Sequence, residues 1–92
     1  MAIEVRIPTI LRTYTGGAKV VEGSGSTLGE LIKNLDAAHA GIGDRLLDGE
    51  KLRRFVNVYK NDEDVRFLGG LETPVADGDT VTVLPAVAGG SR

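Results

Sequence analysis

The chain has 92 residues, 41% of them apolar and 26% charged, with a formal net charge of −2 and no cysteine. A chain of this length forms one small domain that buries about 60–70% of its unfolded surface, which leaves little mass for a deep catalytic cleft. The composition excludes disulfides, thiolate metal sites and a cysteine nucleophile, and the net charge offers no general attraction for nucleic acid or anionic lipid.

From Met1 to Arg6 apolar and charged residues alternate, unlike the continuous apolar core of a signal peptide. No run approaches the roughly 20 apolar residues of a membrane span. A soluble, cytoplasmic protein without membrane partners is the expectation. Ile3, Val5 and Ile7 have the period of two of a half-buried strand that stops at Pro8. Residues 11–15 lead to the turn Gly16-Gly17, and Ala18 to Glu22 return as a second strand.

After the loop Gly23-Ser24-Gly25-Ser26, Thr27 has the position of a helix N-cap, with Glu30 placed to complete a reciprocal capping box. Leu28, Leu31, Ile32 and Leu35 then recur at helical spacing, so the expected helix runs from Leu28 to Ala38, with Gly41 and Gly43 ending it. Ile42, Leu46 and Leu47 read as an apolar turn over one end of the core. The basic run Arg45, Lys51, Arg53 and Arg54 reads as solvated surface.

Arg54 to Lys60 is the clearest strand, rich in β-branched and aromatic residues. Asn61-Asp62-Glu63-Asp64 reads as an acidic turn, Val65-Arg66-Phe67 as a short strand, and residues 71–75 as irregular. Asp77-Gly78-Asp79 turns into a last strand from Thr80 to Leu84, with Val81 and Val83 on one face.

Strand, strand, helix, strand, short strand, strand is an α+β order. One main helix on one face of a mixed sheet of four to five strands buries both apolar surfaces. Placing the first and last strands side by side in parallel makes this a β-grasp, or ubiquitin-like, fold. The domain is expected over residues 1–85, with a tail over 86–92.

Other residues with chemical potential have simpler explanations. His39 is the single histidine and falls at the helix end, with no metal-type partner nearby in sequence. Asp62, Glu63 and Asp64 lack the spacing of a calcium loop. Ser24, Ser26 and Ser91 have no plausible His-Asp partners, and residues 23–27 are too short for a phosphate-binding loop. Tyr14 and Tyr59 lack the basic, aromatic-rich setting of a nucleic-acid binder. No metal site and no catalytic residue is expected.

The last strand runs into Ala86-Val87-Ala88-Gly89-Gly90-Ser91-Arg92. Small residues there suit a slender arm that enters a partner's narrow channel. This ending and the element order resemble the ubiquitin-like sulfur carriers of the ThiS and MoaD group. Residues 5–12 (VRIPTILR), 54–67 (RFVNVYKNDEDVRF) and 84–90 (LPAVAGG) resemble the CysO-type carriers of actinobacteria, so the similarity spans nearly the whole chain.

The resemblance implies that the Gly90 carboxylate is adenylated by an E1-like adenylyltransferase and converted to a thiocarboxylate. The sulfur then passes to an acceptor enzyme of the cysteine synthase, thiazole synthase or thiosugar synthase type. Ala86, Val87, Ala88 and Gly89 would thread into the partner. The carrier itself would hold no cofactor, and ATP would be used by the activating partner. Leu84, Pro85, Phe67 and Leu68 are the candidate docking patch, although Leu84 is equally readable as core.

Ser91 and Arg92 depart from the family pattern. They make the Gly90 carbonyl an amide, which cannot be adenylated as a carboxylate can. Either they are a precursor extension, cut between Gly90 and Ser91 by a JAMM-type metalloprotease of the kind found in CysO-type systems, or they are a remnant. Two other readings stay open: a modifier joined through Gly90 to a target lysine, and a β-grasp binding module with an inert tail.

Overall fold

A computed structural model describes residues 2–54 and 56–85 of the chain. Strand β1 (Ile3–Arg6) buries Ile3 and Val5 on one face and leaves Arg6 exposed on the other. Pro8 has no N–H for a ladder, and beyond it the chain winds into a 3-10 helix, Thr9–Thr15. This helix turns Leu11 and Thr15 inward and leaves Ile10 outside. The Thr15 hydroxyl ties it off on the carbonyls of Arg12 and Ala18, at 3.2 and 2.9 Å. Strand β2 (Val20–Gly23) then returns antiparallel to β1.

Helix α1 spans Leu28–Ala38, the bounds expected from the cap and the apolar spacing. The Thr27 hydroxyl accepts the Glu30 N–H at 3.2 Å. The Glu30 carboxylate does not close on the cap amide as a capping box requires. It reaches one residue further and accepts the N–H and hydroxyl of Ser26, at 2.9 and 2.8 Å. Leu28, Leu31, Ile32 and Leu35 are all buried. Beneath them β2 lies so close that a Cβ on Gly23 would come 2.5 Å from Leu31 Cδ1.

Gly41 ends the link after α1 with φ of 99°, and a Cβ there would meet the Tyr14 ring at 2.9 Å. Gly43 is not a second stop signal. It lies inside a short helix α2 (Ile42–Leu46) that buries Ile42 and Leu46. The Asp36 carboxylate accepts the N–H groups of both Gly41 and Gly43, at 3.1 and 3.0 Å, and so starts the new helix.

Strands β3 (Leu47–Asp48) and β4 (Lys51–Leu52) form a small ribbon that the sequence did not announce. Strand β5 (Val56–Lys60) follows, joined to β6 (Glu63–Asp64) by Asn61 and Asp62, both at positive φ. Asn and Asp tolerate that region, and two such residues match the twist of a tight hairpin. Val65–Phe67 is a 3-10 turn, not a strand, because the Asp64 side chain caps it by accepting the Arg66 N–H at 2.9 Å. A further 3-10 turn, Gly70–Glu72, precedes the last strand, β7 (Thr80–Pro85).

The main sheet has five strands in the order β2-β1-β7-β5-β6. Only β1 and β7 run parallel within it, with Val5 opposite Val81. Val5, Val58, Val81 and Val83 face α1, and with the helix leucines they form the core. This is the expected α+β, β-grasp architecture.

Two carboxylates support the frame electrostatically. Glu30 is held below the usual carboxylate range, first by the Ser26 N–H and then by the Ser26 hydroxyl. Asp79 is held low by the Asn61 side-chain amide and then by the Ala76 N–H. A depressed folded value means that the unfolded chain takes up protons first as pH falls. The stabilisation is therefore intact above the ordinary carboxylate range, about pH 4, and drains away as pH drops through the lower folded values. Thermal melts are expected to show a midpoint that falls with acidification. The Glu30→Gln/Asp79→Asn double variant should flatten that fall; an unchanged slope would rule these groups out as its source.

Candidate functional site

The sheet face turned away from α1 is fixed by register. Val20 lies opposite Arg6, Arg6 opposite Thr82, and Thr82 opposite Tyr59. Two residues on toward the end of β7, Leu84 lies opposite Asn57 on this face, whereas Pro85 lies opposite the core residue Val56 and has the parity of the inward-facing Val81 and Val83. A valine or leucine on this outer face has no helix to cover it. Leu84 is accordingly 45% exposed, which resolves the choice between core and surface in favour of surface. Pro85, the last described residue, is also exposed.

Around them lies an open groove of about 460 Å³, to which Ile10, Val20, Leu84 and Pro85 contribute apolar walls. A smaller, mostly apolar pocket of about 110 Å³ adjoins it, lined in part by Ile10, Leu11, Leu84 and Pro85. Ile10 and Val20 are 66% and 47% exposed, more than solvation alone would favour for such side chains standing together. Sequence reasoning passed over both. Val20 shares a face with the exposed Glu22, which is the one local signal that it points outward.

Phe67 and Leu68 do not join this patch. Phe67 is 86% exposed, and neither residue lines the groove or the pocket. The preceding residue, Arg66, donates to Asn57 Oδ1 and to the Val56 carbonyl, both at 2.6 Å. Of the four expected docking residues, Leu84 and Pro85 line the groove, while Phe67 and Leu68 lie outside it. The tail residues Ala86, Val87, Ala88, Gly89, Gly90 and Ser91 lie outside the described residues.

His39 sits at the α1 C-cap, where its N–H donates to the Leu35 carbonyl at 2.7 Å. Asp79 accepts hydrogen bonds in a turn. Among the described residues no three His, Cys, Asp or Glu side chains gather as a metal site. No helix among them is long and apolar enough to cross a membrane.

A β-grasp domain with an apolar groove at the root of its C-terminal segment defines a ubiquitin-like class of small protein. The ThiS family model matches residues 5–90, and the chain belongs to the ThiS family. It is 61% identical to the sulfur carrier protein CysO of Mycobacterium tuberculosis, over 98% of this chain and all of the relative. It is 34% identical to the small archaeal modifier protein 3 of Haloferax volcanii, again over 98% of this chain and all of that one. A chain of the Amycolatopsis orientalis BexX/CysO complex superposes with a TM-score of 0.92 at 64% identity, covering 97% of this chain and 100% of the other.

Proposed function

We propose that this chain is a cytoplasmic sulfur carrier, a protein cosubstrate and not an enzyme. The observation that carries the proposal is the 61% identity to a sulfur carrier over essentially the full length. The family match that runs to residue 90 supports Gly90 as the working end. Removal of Ser91-Arg92 by a JAMM-type metalloprotease leaves the Gly90 carboxylate. A carboxylate oxygen attacks the α-phosphorus of ATP on an E1-like adenylyltransferase, and pyrophosphate leaves. Hydrosulfide, supplied by a sulfur donor, then attacks the acyl carbon and displaces AMP, leaving a thiocarboxylate.

The carrier contributes no catalytic side chain. It presents a terminal acyl group on a narrow arm, Ala86 to Gly89, while Leu84 and Pro85, with Ile10 and Val20, dock the partner. The BexX/CysO complex supports a folded protein as that partner. We assign the sulfur acceptor to the cysteine synthase, thiazole synthase or thiosugar synthase type. Phe67 and Leu68 form a separate, second candidate contact.

Intact-mass measurement tests the proposal. The chain ending at Gly90, incubated with ATP, its activating enzyme and a sulfur donor, is expected to gain one oxygen-to-sulfur exchange. The 34% identity to an archaeal modifier favours a second reading, isopeptide bonding of Gly90 to a lysine. That reading would give a product heavier by a whole target protein and no thiocarboxylate.

A further inference from the structure

The charges around the sheet are sorted along the strand axis. At the end where β7 finishes stand Arg12 and Lys19, which line the groove, and Arg45, which lines the pocket beside Pro85. Arg53 and Arg54 lead into Val56, the residue opposite Pro85. At the other end Glu4, Glu22 and Asp79 surround the start of β7, with Asp77 in the turn before it and Asp62 and Glu63 at the β5–β6 hairpin. Lys60 is the cation at that end among the described residues, and it lies 3.9 Å from Asp79. Arg6, in the middle, is paired with Glu4 at 2.9 Å.

The cations at the tail end are held in place by neutral oxygens. Arg12 Nε donates to the Ile7 carbonyl at 3.1 Å, and Arg53 Nε to the Asp44 carbonyl at 2.7 Å. Arg45 Nε donates to the Tyr14 hydroxyl at 2.6 Å, with the guanidinium over the ring. Among the described residues no carboxylate lies within ion-pair distance of these three. The side chain of Asp44 belongs to a separate cleft on the helical side, with Lys33 and Asp36. The charges are therefore fixed in position but not neutralised, on a chain whose net charge is −2.

The geometry points to an activating partner whose tail-accepting opening is rimmed by carboxylates, so that the positive pole of this domain leads the tail in. The inference rests on the carrier reading, since that reading supplies the partner. The poles are separated by roughly the length of β7, about 17 Å, which exceeds a Debye length of about 10 Å at 0.1 M salt. A docking partner thus feels the near pole while the far one is screened. Such complementarity acts on encounter rate and orientation more than on the bound state.

The test uses the chain ending at Gly90, its activating enzyme and ATP, with AMP transfer followed from about 0.02 M to about 0.5 M salt. Lys19 and Arg54 are exposed, and among the described residues their side chains make no hydrogen bond or ion pair, so Lys19→Glu/Arg54→Glu is expected to melt as the parent does. Its kcat/KM should fall about tenfold or more at low salt, with kcat unchanged, and the gap should close at high salt. At about 0.1 M salt and above, where the Debye length is shorter than the distance between the poles, Glu22→Lys at the far pole should stay within about twofold of the parent. An unchanged kcat/KM and salt slope in the double variant would overturn the inference. So would a rise, which would mean that the basic rim holds the tail's own carboxylate. Absence of AMP transfer to the unsubstituted chain would overturn the carrier reading itself, and this inference with it.

Discussion

A chain that ends at Gly90 is expected to accept AMP from its activating enzyme, and a chain that ends at Arg92 is expected to accept none. The difference is chemical. In the longer chain the Gly90 carbonyl is an amide whose oxygen is a poor nucleophile toward phosphorus, and attack there leaves no acyl-adenylate for sulfur to displace. The Arg92 carboxylate is a true carboxylate, but it is displaced by two residues, about 7 Å of extended chain. A site built to hold the reacting group within a fraction of an ångström does not tolerate that shift. No cysteine in the chain offers an alternative thioester. Intact-mass and pyrophosphate-release assays on the two lengths decide the matter, and efficient adenylation of the longer chain would refute the trimming step.

Gly90→Val in the shorter chain separates fold from threading. Position 90 lies five residues beyond the end of β7, and every identified core residue precedes it, so the melting temperature should be unchanged. The added β-branched side chain should lower activation by about 100-fold, the scale on which a misplaced reacting group costs rate.

Leu31→Ala should give the largest loss of stability. Leu31 is fully buried at the middle of the apolar face of α1, and its Cδ1 approaches the backbone of β2 at Gly23. Gly23 allows that approach. Loss of the side chain should cost about 3 kcal/mol, combining lost transfer energy with a residual cavity. In a domain of this size that lowers the melting midpoint by about 12–24 °C. Urea and thermal unfolding would measure it. Below its new midpoint the variant should still be activated, because the groove lies on the opposite face of the sheet. A loss under about 1 kcal/mol would show that the helix does not seal this part of the core.

The helix was legible because three local signals agree: the Thr27 cap, the apolar spacing from Leu28 to Leu35, and the glycine at 41. The parallel pairing of β1 with β7 was legible because both are short, alternating and separated by enough chain to cross over. The 3-10 segments were not. Ile10-Leu11 and Val65-Arg66-Phe67 are strand-formers by propensity, and their conformation is decided by Pro8 and by the Asp64 cap, each a single residue. The ribbon β3–β4 escaped notice because two-residue strands carry no periodicity.

The groove was half legible. Leu84 and Pro85 follow from adjacency to the tail. Ile10 and Val20 are far away in sequence: Val20 reaches this face through the registers of three strands, and Ile10 through the 3-10 helix that follows Pro8. Phe67, read from its place before a glycine pair as a second exposed patch, is 86% exposed and lies outside the groove.

Because β7 lies between β1 and β5, a pull on the tail along the strand direction is resisted by both ladders together. Their hydrogen bonds run across the strand, so such a force loads them in shear, all at once, instead of unzipping them one by one. A force applied at the C-terminal end of β7 is therefore shared by the whole sheet instead of drawing the domain apart. The chain beyond Pro85 is thus attached to the central strand of the sheet and not to an edge.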